Sequence, residues 1–114
     1  MGRSLGELEV LILLAIVDLE EEAYGAAIGR TIEDRTGRAI SAGAIYTALE
    51  RLTTRGFVTA REGAPTPRRG GRRTRLYRIE PEGARELQRS TRTLRDMAQG
   101  LLPKLDALAA GESA

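Results

Sequence analysis

A chain of 114 residues and 12.4 kDa holds one compact domain, or one domain with an appended helix, and leaves no room for a second independent core. It contains no His and no Cys, which excludes Ser/His/Asp and Cys/His catalysis, disulfide frameworks, Fe–S clusters and almost every zinc site; neither a metal nor a cofactor is expected. The net charge of +2 conceals a segregation, because residues 1–34 sum to −6, residues 35–79 to +9 and residues 80–114 to −1.

The first helix is predicted from about Ser4 to Leu19, opened by a capping box of Ser4 and Glu7. Its run from Val10 to Val17 is continuously apolar, so the helix is expected to be buried on most sides. One small subunit does not easily cover such a helix, which points to a second copy, with Leu8 and Leu11 at the interface. The run is far shorter than the ~20 residues of a membrane span. Its leader carries Glu7 and Glu9 where a signal peptide wants bases, so a cytoplasmic protein without a membrane anchor is expected. Asp18 and Glu20 to Glu22 read as a solvated helix end and turn. As a catalytic carboxylate pair they lack anything nearby to raise one pKa. Lys104, the single lysine, has no glycine-rich run before it, so a P-loop is excluded and an enzyme is not expected.

A second helix follows from Tyr24 to about Thr36, with Ala27, Ile28 and Ile32 on one stripe and Gly37 as its stop. Ser41 is the N-cap of a third, about Ala42 to Arg55, closed by Gly56. Its apolar stripe is Ile45, Ala48, Leu49 and Leu52; Gly43, Thr47, Glu50, Arg51 and Thr54 form the opposite face, with Ala44 and Tyr46 on the shoulders. The period then changes to that of two strands, residues 57–61 and 74–79, joined by a long loop from Glu62 to Arg73. Pro81 starts a last helix running to about Gln99. This order gives a mainly α fold with a small β-hairpin: a winged helix-turn-helix over residues 1–80 and a C-terminal dimerisation helix over residues 81–114.

Three constellations carry chemistry. The loop holds Arg68, Arg69, Arg72 and Arg73, followed by Arg75, with Gly70 and Gly71 between the pairs; it suits a minor groove or a line of phosphates. Of the 18 bases, 17 are Arg, whose guanidinium fork matches phosphate and base edges. The N-terminal turns of the third helix offer Ser41, Gly43, Ala44 and Thr47 to base edges in a major groove, as a reader helix does. Tyr46 is either a phosphate contact or a half-buried core residue, Arg51 reaches toward the backbone, and Glu50 repels phosphate. In the last helix Leu87, Thr91, Leu94, Ala98, Leu101, Leu105 and Leu108 step as an a/d seam, interrupted by a kink expected between Gly100 and Pro103.

Gly43-Ala44-Ile45-Tyr46, then Leu49-Glu50-Arg51-Leu52 and Gly56-Phe57-Val58, resemble the signature of PadR-like transcriptional regulators. Tyr24-Gly25, Tyr77 and Pro81-Glu82-Gly83 also match, so the resemblance covers about residues 5–90. Ala44, Thr47 and Glu80 depart from the family's usual residues, the first two at positions that bear on the base sequence read. The resemblance implies a dimeric bacterial repressor of the family's short subgroup, bound to double-stranded DNA at an inverted-repeat operator and released in some relatives by a small-molecule effector. Relatives that hold flat aromatic ligands use dimer tryptophans; this chain has no Trp, so that mode is not carried over. Two alternatives share parts of the pattern: a nonspecific nucleoid or RNA-binding module that uses only the Arg loop, and a helical protein-interaction module in which the loop is incidental.

Overall fold

In the computed structural model, which describes residues 4–63 and 74–112, α1 (Glu7–Leu19) leads through one 3-10 turn (Glu20–Glu22) into α2 (Gly25–Thr36) and α3 (Ala42–Thr54). A hairpin of β1 (Val58–Glu62) and β2 (Arg75–Ile79) follows, then α4 (Pro81–Ala98) and α5 (Leu102–Ala109).

The start of α1 differs from the expected Ser4 cap. Gly6 is the N-cap, and Glu9, not Glu7, turns back to accept the Gly6 N–H at 2.8 Å. The reason is tertiary. Glu9 is buried, with Nε of Arg51 on α3 3.7 Å from its other carboxylate oxygen, whereas Glu7 faces outward and accepts from Arg38 at 2.9 Å. The helix is also less enclosed than its composition suggests. Ile12, Leu13, Ala15 and Ile16 enter the core and Leu8 and Leu11 lie partly buried against it, but Leu14 and Val17 stay 43% and 49% exposed.

The chain leaves α1 through Glu20 at φ 54°, ψ −112°, a conformation that favours glycine. Such strain costs on the order of 1–3 kcal/mol. Glu20→Gly is therefore expected to raise stability by about 1 kcal/mol and the melting temperature by a few degrees. A lower melting temperature in calorimetry would contradict the assignment of strain.

α2 buries Ala27, Ile28 and Ile32 and closes at Gly37 (φ 79°); α3 buries Ile45, Ala48, Leu49 and Leu52. The hairpin is antiparallel, with Val58 opposite Ile79 and Glu62 opposite Arg75, and the Gly63 N–H donates to the Thr74 carbonyl at 2.6 Å just beyond the ladder. The segment between α1 and α2 joins the sheet's other side: Tyr24 bridges to Leu76, and the Tyr77 N–H donates to the Ala23 carbonyl at 2.8 Å. Val58 and Tyr77 thereby face the three-helix core.

α4 starts at Pro81 and lies so close to the hairpin that a β-carbon at Gly83 would collide with the Phe57 carbonyl. Leu87, expected in an intermolecular seam, belongs instead to the core cluster at 6% exposure. The physical reason is position: the first turns of α4 pack across α1, so a seam residue there is covered by its own subunit. Past this point α4 leaves the domain. The helix stops at Ala98, Gly100 turns at φ 79°, and α5 begins at Leu102 with Pro103 in its first turn, where the missing N–H costs no hydrogen bond. This arm gives the subunit its length of 57 Å against 34 and 21 Å in the other directions. Among the described residues no helix is long and apolar enough to cross a membrane.

Candidate nucleic-acid interface

The third helix, α3, is built by one cap and one stripe. Ser41 Oγ accepts the Ala44 N–H at 3.1 Å, which satisfies a donor of the first turn. Burial of Ile45, Ala48, Leu49 and Leu52 then turns Gly43, Thr47 and Glu50 to solvent, with Ala44 partly covered. At Gly43 an added β-carbon would meet nothing within 4 Å, so the helix surface is open there.

Tyr46 is neither core nor free. It is 49% exposed, and its ring and hydroxyl lie over Gly25 at the start of α2, so closely that any β-carbon at Gly25 would collide with them. Beside this contact the guanidinium of Arg30 donates to the Tyr24 hydroxyl at 2.8 Å and sits 5.7 Å from the centre of its ring. Arg30, Ala42 and Tyr46 line one shallow hollow at the elbow between α2 and α3, floored by Gly25, Ala26 and Gly29. Arg30 and Tyr24 are interface candidates that the sequence pattern does not reveal. Six residues is not a helical face spacing, and the pair meets because Tyr24 is extended (φ −108°, ψ 163°) before the helix begins.

Arg51 is half-exposed and tied to buried Glu9, so α3 is braced against α1 by the charge that was expected to reach toward a phosphate. Arg75 opens β2 on an exposed position and reaches the Tyr77 phenol. Burial pushes that phenol above the ordinary tyrosine range, partly offset by Arg75, so Tyr77 remains a neutral donor at physiological pH. Between α3 and the hairpin runs a polar cleft lined by Thr47, Glu50, Thr54, Ala60, Arg75 and Tyr77. Arg68, Arg69, Arg72 and Arg73 lie outside the described residues.

The arm exposes Leu94 (64%), Met97 (72%), Leu101, Leu102, Leu105 and Leu108, with Ala98 partly covered. Leu14 and Val17 of α1 add to the exposed apolar surface, along a groove between α1 and α2 that Leu11, Ala15 and Ile32 also line.

The model of the transcriptional regulator PadR-like family matches residues 13–89, from the core of α1 through α3 and the hairpin into α4. The chain belongs to the PadR-like family. It is a transcriptional regulator with a winged helix-turn-helix fold. A PadR-family regulator from Clostridium difficile superposes with a TM-score of 0.72 at 20% identity, covering 88% of this chain and 99% of that one. One from Eggerthella lenta superposes at 0.66 with 26% identity, covering 87% and 86%. Bacillus subtilis PadR, solved in complex with operator DNA, superposes at 0.60 with 23% identity over 74% of this chain and 47% of that one. Among curated proteins no sequence matches. In this PadR-like regulator no cluster of His, Cys, Asp or Glu among the described residues could hold a metal ion.

Proposed function

We propose that the protein is a homodimeric, sequence-specific DNA-binding repressor of the cytoplasm that acts by occluding a promoter. The observation that carries the reading is the surface of α3: a Ser41-capped N-terminus whose outward stripe of Gly43, Thr47 and Glu50 stands uncovered beside the hairpin. Small residues at the tip admit close approach to base edges, and Thr47 supplies an oxygen that donates or accepts. Tyr46, Arg30 and Arg75 flank the helix as backbone contacts, and the loop arginines Arg68, Arg69, Arg72 and Arg73 supply phosphate charge. The complex of B. subtilis PadR with operator DNA supports DNA as the partner.

The arm supplies the second copy. Leu94, Ala98, Leu101 and Leu105 pair with the exposed Leu14 and Val17 of α1 and with the half-buried Leu8 and Leu11 beside them, across a two-fold axis. A two-fold dimer sets its reader helices about one DNA turn apart, roughly 34 Å, so the operator is an inverted repeat.

Thr47→Ala and Gly43→Ala test the reader. Neither position is packed in the free protein, so both variants fold. Each is expected to lower operator affinity by roughly 1–3 kcal/mol while random-duplex binding changes little. Equal losses on both kinds of DNA, measured by fluorescence anisotropy at fixed salt, would remove these residues from base readout.

A further inference from the structure

The basic segment 35–79 carries two acids, Glu50 and Glu62, against eleven arginines. Their situations differ. Glu62 stands opposite Arg75 in the hairpin ladder. Glu50 is exposed on the reader stripe with Gly43 and Thr47, one turn further along α3, and among the described residues no guanidinium comes within ion-pair distance of it. Glu7 and Asp18 are paired with Arg38 and Arg35, whereas exposed Glu20, Glu21, Glu22, Glu33 and Asp34 have no such partner among the described residues but lie outside α3; what sets Glu50 apart is its place on the α3 stripe. Glu50 also lines the cleft between α3 and the hairpin, where Thr47, Thr54, Arg75 and Tyr77 supply hydrogen-bonding groups.

A carboxylate exposed at that place weakens binding to any polyanion. Its one favourable partner in a major groove is a base amino group, above all the N4 amino group of cytosine, to which phosphates and the other groove-edge acceptors offer no equivalent. We propose that Glu50 is a specificity-determining residue: it accepts a hydrogen bond from a cytosine N4 amino group in the operator half-site and repels every duplex that lacks one in register. The inference rests on the reading of α3 as a reader helix. Thr47 and Gly43 permit and supply contact, whereas Glu50 discriminates by opposing the loop arginines, whose attraction is the same for all sequences.

The test uses the unmodified full chain, Glu50→Gln and Glu50→Ala. The probes are a duplex enriched by the unmodified protein from a randomised pool and a scrambled duplex of equal composition. Removing the charge is expected to tighten binding to the scrambled duplex roughly 5- to 10-fold. The ratio of selected to scrambled affinity is expected to fall about tenfold or more. Changing each C·G pair of the selected half-site in turn to T·A is expected to reveal one position that costs the unmodified protein about tenfold and costs Glu50→Ala nothing. Unaltered melting curves confirm that the variants fold. Scrambled-duplex binding that stays the same or weakens in both variants, while the unmodified protein still discriminates, overturns the role of Glu50 alone. If the unmodified protein fails to discriminate between the two duplexes, the reader-helix reading falls, and this inference with it.

Discussion

Replacing Leu94 and Leu101 by Asp is expected to convert the protein into folded monomers that no longer hold a full operator. In the isolated subunit these side chains are 64% and 43% exposed, so the substitutions remove nothing from its core. Leu87 is unsuitable for this experiment, because at 6% exposure its loss would unfold the domain and leave the cause of lost binding ambiguous. Full burial of a leucine is worth about 1.5–3 kcal/mol, so burying the roughly half of each of four leucines still exposed in the subunits contributes about 3–6 kcal/mol before entropy costs. Charged replacements forfeit that and add the cost of desolvating carboxylates. The dimer dissociation constant is expected to rise by at least about 10⁴-fold, beyond micromolar concentration. Operator affinity then falls with it, since the second half-site is no longer held at high effective concentration, although every DNA-facing residue is intact. Sedimentation velocity with circular dichroism decides the matter. A variant that is folded and still dimeric at micromolar concentration would remove the arm from the interface.

The second large effect concerns the loop. Changing Arg68, Arg69, Arg72 and Arg73 together to Ala is expected to weaken binding to operator and random duplex alike. Each neutralised phosphate adds about 0.9 to the slope of log affinity against log salt, so deleting four guanidinium groups per subunit lowers the slope by roughly 3 to 4 per subunit. Extrapolated from 1 M salt, that slope corresponds to about a 10³- to 10⁴-fold loss per subunit near 0.1 M. Selectivity is expected to survive, because the proposed base contacts lie on α3. A titration across salt concentrations that returned the original slope would show that the loop touches no phosphate.

The order of elements was legible in the sequence because it is written in local chemistry. Ser41 caps α3 through an oxygen three residues from the N–H that it accepts, Gly37 and Gly56 sit at positive φ where helices end, and Pro81 starts α4. The outward stripe of α3 followed for the same reason. Once Ile45, Ala48, Leu49 and Leu52 must be inside, the geometry of 3.6 residues per turn leaves Gly43, Thr47 and Glu50 outside. The segregation of arginines into the middle of the chain is likewise a property of the sequence alone.

What only the tertiary structure decided are choices between chemically equivalent candidates, where the deciding partner is remote in the chain. Glu7 and Glu9 could each have served a helix start; Glu9 does so because burial beside Arg51 places it there, while Arg38 draws Glu7 outward. Arg51 reads as a free cation until α1 is laid against α3. Arg30 meets Tyr24, and Tyr46 covers Gly25, only because the elbow between α2 and α3 brings them to one rim. A heptad seam records that a stripe must be covered but not by what. Leu87 is covered by its own domain, and Leu94 and Leu101, on the part of the arm beyond it, are not, because burial depends on which surfaces meet in three dimensions and the period of a helix depends on its neighbours in sequence alone.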